Sequence, residues 1–179
     1  MKKYSMREVE EAVGGTLVSG DGEAIVSSVS QDSRGVDPGE LFFAIPGDNH
    51  DGHDFLPQAM ERGCRDFVVS SREWASKLEN AAQDVRTILV EDTVNALGKL
   101  AADYREKMNI TVIGITGSTG KTGTKDLTRC VCEASFKTGY TEGNYNNHIG
   151  LPLSILNFPE STEVGVLEMG MDKPGEIRY

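Results

Sequence analysis

No stretch of this 179-residue chain approaches the ~20 continuous apolar residues that a membrane-spanning helix requires. The N-terminus, MKKYSMREVEEAV, has two lysines but no apolar core, so it does not read as a secretory leader. Cysteine is scarce: Cys64, Cys130 and Cys132 make an odd, sparse set that excludes a disulfide framework and fits reduced thiols in the cytoplasm. Cys130-x-Cys132 lacks the second ligand pair of a zinc site, so both are read as helix packing residues. Positive charge is also in short supply. The formal net charge is −10, with most of the acidic excess before residue 109. Without a basic face, nucleic acid is excluded as a partner. Any bound nucleotide must then be held by local backbone amides and a metal. What remains is an ordinary globular composition, 38% apolar and 26% charged, in a chain long enough for one large core or two small ones.

Ser5-x-x-Glu8 is a capping box, and Gly14-Gly15 stops the helix it starts. The runs TLVSG, AIVSSVSQ and LFFAIPG, punctuated by Gly, Asp and Pro, read as a small β-rich section. The pattern then alternates. HDFLPQAMERG is helical, RDFVVS a strand, and SREWASKLENA a helix with a second Ser-x-x-Glu start at Ser70. TILVED is a strand, and DTVNALGKLAADYREKM is a long amphipathic helix. Strands alternating with helices predict an α/β fold with parallel pairing. A domain boundary is expected at 108/109, giving domains 1–108 and 109–179. The second segment reads as strand (110–115), glycine loop (116–120), helix (121–134), Gly/Asn-rich loop (139–150), short helix (151–157) and the strand EVGVLEMG.

The loop GITGSTGKTGTK is the most informative stretch. A full Walker A loop, G-x-x-x-x-G-K-[ST], would need glycine where Ile115 stands, but the shorter Gly117-x-x-Gly120-Lys121-Thr122 is present. An apolar strand precedes it and a helix follows, the setting in which such a loop cradles phosphate. Glycines at 117 and 120 let several N–H groups converge on one anion, and the helix N-terminus adds partial positive charge. Lys121 can reach the β and γ phosphates of ATP, and the Thr122 hydroxyl can ligate Mg²⁺. A second metal oxygen is expected from Glu168, which interrupts an apolar strand near the C-terminal end where ligands sit in open α/β sheets. The competing reading of Glu168 is an edge-strand glutamate facing water. His50 and His53, in HDGH, are read as turn or substrate contacts rather than a metal pair.

TGSTGKTGTKDL, then GNYNNHIGLPLSIL, then LEMGMDKPGEI resemble the Mur ligases of bacterial cell-wall synthesis. The nearest likeness is to the member that adds D-alanyl-D-alanine to UDP-N-acetylmuramoyl-tripeptide. The stretch QDSRGVDPGELFFAIPGDNHDGHDFLPQAMERG resembles the family's UDP-binding domain. The resemblance implies a small N-terminal α/β UDP-binding domain followed by the start of a P-loop, Rossmann-like central ATPase domain. It implies ATP phosphates on Gly117, Ser118, Thr119, Gly120, Lys121, Thr122 and Gly123, with Lys121 and Glu168 catalytic and Mg²⁺ on Thr122 and Glu168. Ser33, Arg34 and His53 would meet the uridine nucleotide, and Asn146 and Asn147 the phosphates and the acceptor carboxylate. The tripeptide carboxylate would attack the γ-phosphate to give an acyl phosphate, which the amine of D-Ala-D-Ala then attacks.

Three positions depart from the family pattern. Gly123 stands where Thr or Ser is usual, His148 where an acidic residue is common, and Lys173 where a histidine is expected. A lysine at 173 has no lone pair to offer a metal at neutral pH. Family members are much longer and carry a C-terminal domain that brings the dipeptide. This chain is therefore expected to be an N-terminal piece, inactive alone and cytoplasmic, of a protein that is monomeric at full length. The rival readings are a sister ligase adding another amino acid, a folylpolyglutamate-synthase-like enzyme, which the N-terminal domain argues against, and a non-catalytic module binding nucleotide or UDP-sugar.

Overall fold

The computed structural model describes residues 3–47 and 49–171. The chain divides into two compact units between Leu100 and Ala101, inside a long helix and ahead of the boundary expected from sequence.

The first unit opens with β1 (Tyr4–Ser5) and α1 (Met6–Val13). Ser5 Oγ accepts the Glu8 N–H at 3.2 Å while Glu8 Oε2 accepts the Ser5 N–H at 2.8 Å, so two otherwise orphaned amides are satisfied reciprocally. Met6, Val9 and Val13 form the buried face, and Gly14 ends the helix at φ 68°, a conformation glycine adopts without Cβ strain. Next come β2 (Thr16–Ser19), β3 (Ile25–Val26), β4 (Ser28–Ser30) and β5 (Glu40–Phe43). A 3₁₀ turn, Gly52–Phe55, leads into α2 (Leu56–Glu61), and β6 (Asp66–Val69), α3 (Arg72–Ala81), β7 (Arg86–Leu89) and α4 (Thr93–Met108) complete the alternation.

β1 and β3 pair antiparallel, and the remaining strands form a sheet in the order β2-β7-β6-β5-β4. Within it β4 to β7 run parallel and β2 antiparallel to β7. The central strand β6 is buried at every residue, as its position between two covered faces requires. Its one charge, Asp66, is held by Nε and Nη2 of Arg86 on the neighbouring strand. Phe42 and Phe67 meet edge to face at 6.3 Å between centroids, and Leu56, Ala59 and Leu78 pack on the same core. Helix α3 starts one residue later than the Ser70 box predicts. Ser70 donates its N–H to His53 Nε2 at 3.0 Å, so Ser71 becomes the cap and accepts the Trp74 N–H at 3.3 Å.

The second unit contains β8 (Thr111–Ile115), α5 (Lys121–Glu133), β9 (Thr138–Tyr140), α6 (Gly150–Leu156) and β10 (Val164–Glu168). The sheet order is β8-β10-β9, all parallel, with β10 central and buried throughout. Strand β9 lies at the start of the stretch that reads as a Gly/Asn-rich loop. Only pairing with β10 specifies it, and its Gly139 leaves room that a Cβ would lose to the Phe158 ring at 2.6 Å.

Candidate active site

Parallel strands present their C-terminal ends on one edge of a sheet, and in the second unit that edge gathers the chemistry. β8 ends at Ile115, and the exposed loop from Thr116 to Gly120 follows directly. Gly117 at φ 153° and Gly120 at φ 75° take conformations that L side chains rarely adopt. No side chain caps α5, so its first N–H groups stay open toward the loop. Lys121 folds back and donates its Nζ to Gly117 O at 2.9 Å. Thr122 and Gly123 complete the helix start, and a Cβ on Gly123 would meet nothing within 4 Å.

Glu168 pairs in register with Ile115, the last residue before the loop. It sits on the central strand at 3% exposure, which removes the reading of a water-facing edge glutamate. Its Oε1 accepts a hydrogen bond from Asn146 Nδ2 at 2.8 Å, whereas Oε2 is buried with no hydrogen-bond partner among the described residues. A buried carboxylate oxygen without a donor is costly unless a cation meets it. A carboxylate and the Thr122 hydroxyl are hard oxygen donors that suit Mg²⁺. No cluster of three or more His, Cys, Asp or Glu lies among the described residues. Lys173 lies outside the described residues.

The two asparagines do different work. Asn146 orients Glu168 and accepts the Gly170 N–H on its backbone oxygen at 2.8 Å. Asn147 Oδ1 accepts the N–H groups of Ile149 and Gly150 at 3.1 and 2.7 Å, which starts α6. His148 is exposed beside them. The sequence reading omitted Lys125, one turn beyond Lys121 on α5. Lys125 is 3% exposed, and its Nζ donates to Thr141 O at 3.0 Å. Its spacing of four from Lys121 puts both on one helix face, but that spacing alone does not mark Lys125 as buried.

In the first unit the C-terminal ends of β4 and β5 carry the other predicted residues. Ser33 is buried and donates its Oγ to Gln58 Oε1 on α2 at 2.5 Å. Arg34 is exposed, and its Nε and Nη2 grip Asp32 at 2.9 and 2.8 Å. That grip holds the Asp32 carboxyl down at about 2. His53 is buried with both ring nitrogens committed. Because Nε2 accepts the Ser70 N–H, Nδ1 carries the proton and donates to Asp51 Oδ1 at 2.6 Å. His53 therefore fastens the 3₁₀ turn to the end of β6. A cleft of about 400 Å³ opens at the ends of β6 and β7, with Ser70, Arg72, Asp92, Asn95 and Lys99 in its wall. Ser33, Arg34 and His53 do not line it.

The chain is similar to known proteins over nearly its whole length. Residues 25–105 match the Mur ligase family, catalytic domain, and residues 115–179 match the Mur ligase middle domain. The chain is 41% identical over 178 residues to the UDP-N-acetylmuramoyl-tripeptide--D-alanyl-D-alanine ligase of Bacillus subtilis (strain 168), covering 99% of this chain and 38% of that protein. With the enzyme of that name from Escherichia coli (strain K12) it shares 32% identity over 179 residues, covering 100% and 37%. A crystal structure of MurF from Acinetobacter baumannii superposes with a TM-score of 0.89 at 29% identity, covering all of this chain and 38% of that one. MurF ligase from Thermotoga maritima in complex with ADP gives a TM-score of 0.74 at 35% identity, covering 85% and 34%. The chain thus spans little more than a third of the length of these relatives.

Proposed function

Because this chain belongs to the Mur ligase family, we propose that it supplies the nucleotide-handling part of an ATP-dependent amide ligase. The acceptor would be a UDP-N-acetylmuramoyl-tripeptide and the incoming amine D-Ala-D-Ala. Residues 1–108 would bind the uridine nucleotide and residues 109–179 would begin the ATP-binding domain. The observation that carries the reading is the register of Glu168 against Ile115, with its Oε2 unpartnered where β8 enters the glycine loop.

The amides of Gly117 to Gly123 and the open start of α5 would hold the phosphate tail of ATP. Lys121, now on Gly117 O, would turn to the transferring phosphoryl and neutralise charge developing on its oxygens. Mg²⁺, held by Thr122 and Glu168, would offset phosphate charge when bound. Asn146 keeps Glu168 in one orientation while phosphate moves. The peptide carboxylate attacks the γ-phosphorus, ADP leaves, and the resulting acyl phosphate is attacked by the amine, releasing phosphate and forming the amide. Protein residues add no covalent chemistry to this sequence, so catalysis is positioning and electrostatics.

The test is ADP release by the full-length protein carrying this chain. Release should require both the UDP-muramoyl-tripeptide and D-Ala-D-Ala. Lys121→Met should lower kcat by on the order of 10²–10³. Turnover of similar rate with another amino acid in place of the dipeptide would reassign the substrate. Turnover unchanged in Lys121→Met would refute the site.

A further inference from the structure

The buried lysine on α5 has no role in the chemistry just described. We propose that Lys125 is a positioning residue for the Glu168 carboxylate, acting through Thr141; the inference rests on the reading of the glycine loop and Glu168 as a Mg²⁺–ATP site.

Thr141 is fully buried and spends all three of its polar groups. Its N–H donates to Val166 O at 3.1 Å, its hydroxyl accepts the Glu168 N–H at 3.0 Å, and its carbonyl accepts Lys125 Nζ at 3.0 Å. The threonine just past β9 thereby joins α5 to the end of β10. Thr122 stands on α5, three residues before Lys125, and Glu168 ends β10. The two oxygen donors expected to share one cation thus reach each other through Lys125, Thr141 and Glu168. Groups that orient a ligating carboxylate tune metal affinity although they never touch the metal.

The lysine is an expensive way to fill this position. Its side chain is 4% exposed, and among the described residues its ammonium has, apart from Thr141 O, only Asp126 Oδ1 at 3.2 Å, a carboxylate 57% exposed. An apolar residue of similar length would avoid the desolvation cost, but would leave the Thr141 carbonyl buried without its donor. A purely packing role would not call for an ammonium here.

The test uses the full-length protein carrying this chain, with Mn²⁺ as the metal probe and adenylyl imidodiphosphate as a non-hydrolysable ATP analogue. Electron paramagnetic resonance reads Mn²⁺ affinity in the ternary complex, calorimetry in a chelator reads metal-free analogue affinity, and amide exchange at Glu168 is followed without metal. Lys125→Met should weaken Mn²⁺ by about 10–100-fold, leave metal-free analogue affinity unchanged, and speed exchange at Glu168. Thr141→Val should do the same, the double variant should be no worse than either single one, and Lys125→Arg should recover Mn²⁺ binding in part. Unchanged Mn²⁺ affinity in a folded Lys125→Met protein overturns the proposal. If circular dichroism shows that Lys125→Met does not fold, Thr141→Val decides alone, and unchanged Mn²⁺ affinity there overturns it. Wild type that holds Mn²⁺ and loses it in Glu168→Gln, but not in Lys125→Met, sinks this inference and spares the site. Wild type that holds no Mn²⁺ with the analogue sinks both.

Discussion

Arg34 closes on Asp32 with two side-chain bonds and adds its own backbone N–H at 2.9 Å. The side-chain bonds are the largest cause of the low Asp32 carboxyl, about 2 against an ordinary 3.8, with the backbone bond next and slight burial opposing both. A carboxyl depressed in the folded state stabilises above its unfolded value and loses that stabilisation as pH falls through the folded one. The stability difference between wild type and Arg34→Gln should therefore be present above about pH 4 and lost as pH falls through about 2. A carbon-13 titration of the Asp32 carboxyl should move up from a midpoint near 2 in the variant but stop short of 3.8, because the glutamine keeps the backbone N–H on Asp32; an unmoved midpoint contradicts the pairing. The positions of Gly117, Gly120, Lys121 and Glu168 were legible in the sequence because each follows from local spacing: a turn, a helix start, a strand end. Lys125 was not, because a lysine in a helix reads as solvent-facing. Its burial comes from Thr141, distant along the chain. His53 was legible as a residue of the first unit, but its commitment to Asp51 and Ser70 needed the end of β6 in place.

Helix α5 carries most of the site, and its third residue is a glycine in ordinary helical conformation with open space where a Cβ would lie. Gly123→Ala should stabilise the protein by about 0.5–1 kcal/mol through the backbone freedom that glycine retains when unfolded. Chemical denaturation checks this, and a loss of stability would mean that Gly123 is needed for shape. The elements that announced themselves in sequence share a strong local signal. Examples are the reciprocal cap of α1 and the apolar runs 67–69 of β6 and 164–167 of β10. The shift of the α3 cap to Ser71 and the existence of β9 were hidden for one reason: both are decided by partners far away in sequence, His53 in the first case and β10 in the second.

At the scale of the whole molecule, both sheets run their parallel strands so that predicted site residues fall at C-terminal ends. Ser33 and Arg34 follow β4 in the first unit, and the glycine loop and Glu168 end β8 and β10 in the second. Among the described residues no helix is long and apolar enough to cross a membrane. Under the proposed function, the low positive charge of the chain would leave phosphate recognition to the amides of one loop, Lys121 and a metal, so nucleotide affinity should depend steeply on the cation. Calorimetric titration of the full-length protein with adenylyl imidodiphosphate, with and without Mg²⁺, measures that dependence. The account predicts one binding site that tightens with Mg²⁺ in wild type, no such tightening in Glu168→Gln, and little binding in Lys121→Met. Absence of binding in wild type, or equal Mg²⁺ dependence in Glu168→Gln, would contradict it.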